Sequence, residues 1–403
     1  MRYAEKAGPP VPNRAAAADL MRVLSIFMVG GYHIWQQSWL SPVLTLGRLR
    51  LDLTPWVRTG YMFVDLMLVL SGFLTYLPYA AGSERPAREF YLRRALRILP
   101  SYWLCLGVML IQAVTAPDFH DAPKLLLDLL AHLGFVHNLW GFSYNASRLN
   151  VVLWTLAVEA QFYFLLPALG PMFRKRPAAT YAVMTAAGLS AMWLWTPNLP
   201  DTSIYVNRLP NMLVVYANGM LAAHLYPRLC GVKWRSLIAA LGTAAWAASV
   251  WAILSILRVQ AKINGYDLIR LGQLRWRWPL SACGAVFLLG GSLGCKGLRA
   301  ALSNRPVRFL AGITLNFYIW HQWIAVRLKN LRIPPYAAES NPNMAGEMPW
   351  QLHYTLLCFI AALAAAVILT YLVEKPGAKY GRLLLEKTGW IPGKEGKRNA
   401  QDP

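Results

Sequence analysis

The chain has 403 residues, of which 56% are hydrophobic and 14% charged, and 17 are Trp. Soluble domains carry charge on about a quarter of their residues, so this composition excludes one and points to an integral membrane protein. Forty Lys and Arg against 18 Asp and Glu leave a net charge of +22. Apolar stretches separate the basic residues, so the excess belongs in loops facing anionic lipid or an anionic ligand, and no nucleic-acid partner is expected. Cys105, Cys230, Cys283, Cys295 and Cys358 lie within or beside apolar runs at no metal-ligand spacing. They read as buried thiols, with neither a disulfide framework nor a metal site.

A polar, Pro-containing arm, residues 1–18, precedes the first apolar run. Because that run continues for a full span, the arm is expected to stay uncleaved in the cytoplasm. Segments long enough to cross a ~30 Å hydrocarbon core occupy about 19–38, 60–80, 97–116, 150–171, 178–196, 211–227, 236–257, 279–295, 309–326 and 355–373. The predicted fold is therefore an all-α integral membrane protein with about ten transmembrane helices in a domain over 19–376, followed by a basic cytoplasmic tail, 377–403. With the N-terminus inside, 25 basic residues fall in cytoplasmic segments and 14 in outer loops, which favours both termini in the cytoplasm of a plasma (inner) membrane. One loop objects. Arg258, Lys262, Arg270, Arg275 and Arg277 in 258–278 fall outside, so either they bind something anionic or the seventh and eighth helices are misplaced. Residues 117–149 suggest an amphipathic helix at the outer interface, through Leu125, Leu126, Leu129, Leu130 and Leu133. The Pro- and Asn-rich stretch 327–354 is a second outer loop. No internal repeat of fixed period stands out, which weakens an inverted-repeat transporter reading.

Ionisable groups inside a membrane helix are costly and mark candidate functional sites. Arg22 and His33 are eleven residues apart, which on a helix leaves them only about 20° apart around the axis and about 16 Å apart along it. One stripe of the first helix would then link a phosphate-sized cation near the cytoplasmic mouth to a deep imidazole. Asp65 on the second helix and Glu159 on the fourth reach a depth similar to that of His33, where a carboxylate could hold an imidazole in one tautomer and stabilise its charged form. Between the second and third helices Arg85, Arg88, Arg93, Arg94 and Arg97 face the same side as Arg22, and planar guanidinium forks suit phosphate oxygens. Each feature also has a plain structural explanation: a snorkelling Arg22, a helix-to-helix hydrogen bond for His33 and for His321, a helix-start Asp65, an ion-paired Glu159, and positive-inside arginines.

These stretches together resemble acyltransferase family 3, multipass membrane proteins that include bacterial O-acetylases of envelope glycans. Arg22 and His33 match the family's Arg, ten residues, His signature. Val64-Asp65-Leu-Met-Leu-Val-Leu-Ser71-Gly72-Phe73 is similar to its second-helix motif, with Leu66-Met67 where a Phe pair is common. Arg93-Arg94-Ala-Leu-Arg97-Ile-Leu-Pro100-Ser-Tyr102-Trp103 resembles its arginine motif, and Trp154-Thr155-Leu-Ala-Val-Glu159-Ala-Gln161-Phe162-Tyr163 its Trp, Glu, Phe-Tyr block. Tyr318-Ile-Trp-His321 and Val373-Glu374-Lys-Pro376 look like the closing motifs. With no fused extracytoplasmic domain in the tail, acceptor choice is expected to fall to the outer loops.

The resemblance implies transfer of an acyl group, usually acetyl, from cytoplasmic acyl-CoA to a hydroxyl of a glycan or lipid-linked saccharide at the outer face. It implies that Arg22, Arg93, Arg94 and Arg97 hold the CoA phosphates, that His33 is the base, and that Glu159, with Asp65, orients His33. An acyl-imidazole on His33 is a variant, whereas Ser71 reads as close packing beside Gly72 rather than as a nucleophile. The competing class is a proton-coupled secondary transporter of a small anionic or sugar-like solute, which would also use buried His, Asp and Glu but has no need of the arginine cluster joined to the Arg22–His33 stripe.

Overall fold

The computed structural model describes residues 15–117, 120–195, 202–336 and 348–390. Most of the N-terminal arm, part of the second expected outer loop and the end of the basic tail lie outside these residues. In chain order, helix α1 (Ala16–Ser38) is followed by a small hairpin, β1 (Val43–Leu46) and β2 (Leu49–Asp52), paired antiparallel with Leu46 opposite Leu49. Gly47 supplies the positive φ of 61° that this tight turn requires. A short α2 (Thr54–Arg58) and a 3-10 turn, Gly60–Met62, lead into α3 (Phe63–Ala80), α4 (Ala87–Val114) and α5 (Ala122–Leu133). Next come α6 (Trp154–Lys175), α7 (Pro177–Ser190), α8 (Thr202–Tyr205), α9 (Leu209–Cys230), α10 (Arg235–Gln260) and α11 (Tyr266–Leu293). The chain continues with α12 (Lys296–Leu302), α13 (Arg305–Asn330), α14 (Met348–Leu369) and α15 (Lys375–Lys387), the last two joined by a π-helical turn, Thr370–Glu374.

All ten predicted apolar segments fall on helices, and the expected all-α class is what the structure shows. Among the described residues five helices are long and apolar enough to cross a membrane, or six if α11 and α12, bent by 118°, form one broken span. Others, such as α1 and α13, carry Asp19, Arg22 and His33 or Arg305, Arg308 and His321, which lower their hydropathy. Helix starts follow local chemistry. Asn304 caps α13 by accepting the Val307 N–H at 2.9 Å, and Asp121 caps α5 by accepting that of Lys124 at 2.9 Å. Along α5 the expected amphipathic pattern is present. Leu126, Leu130 and Leu133 are exposed, while Leu125, Asp128 and His132 point inward.

Two expectations need correction. The arginine cluster is not a loop, because α4 begins at Ala87, so Arg88, Arg93, Arg94 and Arg97 are helical and the last three share an arc of about 100°. Nor is 258–278 a loop: α10 runs to Gln260 and α11 starts at Tyr266, leaving 261–265 between them. Arg270, Arg275 and Arg277 interrupt the apolar pattern of α11 without breaking the helix.

Helix α3 is central, packed against α9, α1, α11 and α6. Its contact with α9 is backbone-close. A Cβ on Gly219 would sit 2.2 Å from the Val69 carbonyl oxygen, and one on Gly72 would sit 2.9 Å from that of Tyr216, so only glycine fits at this crossing. Thus Gly72 of the Ser71-Gly72 pair does serve close packing. On its other side α1 lies against α13, which packs on α14.

Candidate functional site

The first half of the site is cationic. Arg22 of α1 and Arg94 and Arg97 of α4 line one cavity of ≈ 100 Å³ together with Ser71, Glu159 and Tyr163. An adjoining cavity of ≈ 200 Å³ shares Leu74, Arg94 and Arg97 and adds Arg85 and Arg93. Arg93 is committed locally, its Nε donating to Glu89 Oε1 at 2.7 Å. Arg94 lies 5.0 Å from the centre of the Tyr163 ring. Among the described residues Arg22, Arg94 and Arg97 make no ion pair within salt-bridge distance, so three guanidinium groups border one cavity with a single carboxylate, Glu159. Tyr163 donates to Glu159 Oε2 at 3.1 Å, and the Tyr163 oxygen lies 3.2 Å from Ser71 Oγ. With the phenol proton committed to the carboxylate, the Ser71 hydroxyl donates to Tyr163, and that chain ends on Glu159.

The second half lies at the other end of α1. A cavity of ≈ 380 Å³ is lined by His33, Tyr32, Tyr144, Trp154, Arg270 and Gln322, among others. Tyr318 lines both this cavity and the Arg22 cavity. Its side chain is buried, and its hydroxyl donates to the Val152 carbonyl at 2.6 Å while accepting from Thr155 at 2.7 Å. One tyrosine therefore separates a cationic cavity from a cavity containing the deep imidazole, and two hydrogen bonds hold it there.

His33 does not meet either carboxylate. Its Nδ1 lies 2.7 Å from Nε2 of His321, and the rings stack nearly parallel with centroids 5.0 Å apart. Asp65 instead pairs with Arg277: both are fully buried, and Arg277 Nε donates to the carboxylate at 3.2 Å while Nη1 donates to the Val206 carbonyl at 2.7 Å. The expectation that Asp65 or Glu159 touches His33 is thus corrected. Equal depth in a bundle says nothing about which side of a helix faces which neighbour, and α1 turns His33 toward α13 rather than toward α3 or α6. The structure brings Arg22, Arg94, Arg97 and Glu159 together, places Arg93 beside them, and sets His33 and Asp65 apart. Residue reading missed Tyr318 as a divider and Arg277 as the partner of Asp65; an arginine stranded in an apolar helix was the available signal for the second. The closing-motif Glu374 accepts from Asn316 at 2.8 Å and so ties the π-helical turn after α14 to α13.

Elsewhere, a cavity of ≈ 320 Å³ between α1, α2, α10 and α11 is lined by apolar side chains and Ser25. Among the described residues no three His, Cys, Asp or Glu could hold a metal ion, and the five thiols are unpaired. Cys105 and Cys358 are buried, but Cys230 and Cys283 are half-buried and Cys295 is exposed, which corrects the expectation of five buried thiols.

Two cavities on a helical bundle, one cationic and one with an imidazole, define a class that sequence comparison then identifies. The model of the acyltransferase domain of family 3 matches residues 16–371, and the chain belongs to that family of acyltransferases. The chain is 25% identical over 347 residues to the peptidoglycan O-acetyltransferase OatA of Listeria monocytogenes, covering 79% of this chain and 50% of that protein. It is 27% identical over 276 residues to the exopolysaccharide production protein ExoZ of Rhizobium meliloti, covering 66% and 78% respectively. Nodulation protein 10 of Rhizobium leguminosarum bv. viciae is 28% identical over 201 residues, covering 46% and 52%. The chain thus spans about half the length of the first and third of these relatives. No solved structure matches. Family membership sets the transporter reading aside.

Proposed function

We propose that this protein is a membrane O-acetyltransferase that takes an acetyl group from cytoplasmic acetyl-CoA and delivers it to a hydroxyl of an envelope glycan or lipid-linked saccharide at the outer face of the plasma membrane. The observation that carries the reading is the pair of cavities that meet at Tyr318, one bordered by Arg22, Arg94 and Arg97 and the other by His33. An acyl-CoA donor carries several phosphates at one end and a thioester at the other. Guanidinium groups suit the phosphates, and the ~16 Å rise from Arg22 to His33 along α1 is the distance over which a pantetheine arm would present the thioester. The names of the relatives supply the acceptor class.

In this reading ten helices span the bilayer, both termini are cytoplasmic, and α5 with its exposed leucines lies at the outer interface. Arg22, Arg94 and Arg97 hold CoA phosphates, with Arg93 at the entrance. Glu159 balances their charge and, through Tyr163, shapes the donor cavity. His33 is the base: as the acceptor oxygen bonds the acyl carbon and the carbon–sulfur bond breaks, the hydroxyl proton passes to His33 and then to the departing CoA thiolate. Asp65, neutralised by Arg277, anchors α3 to α11.

Sided membrane vesicles test this. Radiolabelled acetyl-CoA supplied to the face that bears the termini should produce base-labile acetate in the polysaccharide fraction, and supplied to the other face it should not. Labelling from the opposite face, or cysteine mapping that puts residues 85–97 outside, would overturn the topology and the direction of transfer together.

A further inference from the structure

The contact between His33 and His321 settles more than proximity. Gly30 lies one turn before His33 on α1, and a Cβ there would stand 2.6 Å from the Phe317 ring, so glycine is what lets α13 approach closely enough for the imidazoles to meet. His321 is fully buried, and its Nδ1 lies 2.7 Å from the Tyr318 carbonyl oxygen and 3.2 Å from that of Phe317. Carbonyl oxygens only accept, so His321 Nδ1 carries a proton. Among the described residues no carboxylate contacts either ring, and an imidazolium buried without a counter-charge is costly, so the resting pair is neutral. His321 Nε2 is then bare and must accept from His33 Nδ1–H across 2.7 Å. His33 is left with one unprotonated nitrogen, Nε2, and its ring borders the larger cavity.

We propose that His321 is a positioning residue for the transfer reaction: anchored by two backbone carbonyls, it holds His33 in the Nδ1–H tautomer so that Nε2 is the atom that receives the acceptor hydroxyl proton. This rests on the reading of His33 as the base. When Nε2 takes the proton, the Nδ1–H to Nε2 hydrogen bond becomes charge-assisted and therefore stronger. A neutral imidazole thereby does for His33 what a carboxylate does in a Ser-His-Asp triad, without placing a fixed negative charge in the bundle.

The test compares full-length His321→Gln, whose amide oxygen can occupy the place of Nε2 and still accept, with His321→Leu, which fills the space but cannot accept. His33→Ala is assayed in parallel. Membranes with equal amounts of each variant receive radiolabelled acetyl-CoA, and base-labile label in the endogenous polysaccharide is followed over a range of donor concentrations. His321→Leu should lose about 100-fold in kcat, on the scale of general-base catalysis, with KM for acetyl-CoA unchanged, and His321→Gln should stay within about tenfold of the natural protein. If Leu retains more than about a third of kcat, or if Gln falls as far as Leu although melting in detergent shows both folded, the positioning role is wrong. Were the Leu variant to misfold, the Gln variant decides alone, because near-normal turnover requires that an acceptor suffices. Activity surviving in His33→Ala would instead defeat the base assignment itself, an outcome separate from either.

Discussion

The two cavities along α1 differ in how they are made. The cationic one takes Arg94 and Arg97 from neighbouring turns of α4, with Arg22 and Glu159 joining from α1 and α6. The imidazole one depends on a contact between residues 288 positions apart, His33 and His321. Charge can be gathered loosely, because a phosphate accepts several geometries of approach. Proton transfer cannot, because the base must present one nitrogen at hydrogen-bond distance. Among the described residues the bundle accordingly leaves Arg22, Arg94 and Arg97 without ion-pair partners at one end and holds His33 against His321 at the other.

The largest expected effect breaks the comparison at the imidazole end. His33→Ala should lower kcat by about 10²- to 10⁴-fold at normal abundance, measured as labelled acetate transferred per copy of protein; retention of a tenth of the activity would remove the distinction between the two cavities. Next comes a change outside both. Asp65→Asn leaves Arg277 buried without its counter-charge and should cost about 3–5 kcal/mol of stability, seen as a lower melting temperature in detergent, while turnover per folded copy stays near normal. Should that variant melt normally and lose turnover, Asp65 would belong with His33 after all.

At the cationic end the effect should move to binding. Arg22→Ala and Arg97→Ala each remove a charge-assisted contact worth about 1.5–3 kcal/mol, so KM for acetyl-CoA should rise about 10- to 100-fold with kcat little changed. Initial rates across donor concentration check this; a fall in kcat at unchanged KM would place these arginines at the reacting atoms instead. The smallest change is expected at the divider. Tyr318→Phe keeps the ring between the cavities but removes the hydroxyl that bonds Thr155 and the Val152 carbonyl. Each of the two hydrogen bonds is worth about 0.5–1.5 kcal/mol, and because neither partner touches the reacting atoms most of that loss falls on stability, so transfer should slow by only about two- to tenfold in the same assay. A null phenotype would make the hydroxyl a reacting group.

Much of this protein could be read along the chain. Ten apolar runs, the Arg22–His33 spacing and the arginine run of α4 are local patterns, and hydropathy, helix periodicity and motif order expose them without any knowledge of neighbours. The same local logic misread 258–278, because Arg270, Arg275 and Arg277 lower hydropathy wherever they sit, and hydropathy cannot register that Asp65 on another helix neutralises one of them.

Pairing was the part that tertiary structure decided. Depth along a helix follows from residue number at 1.5 Å per step, but the rotation of each helix follows from packing, here from Gly30 against Phe317 and from Gly72 and Gly219 at the crossing of α3 and α9. Those contacts turned His33 toward an imidazole instead of a carboxylate, gave Asp65 to Arg277, and set Tyr318 between the two cavities. The sequence by itself determined which polar groups the apolar helices would carry and how far along each helix they would lie. Which buried group would touch which depended on close packing between helices far apart in the chain.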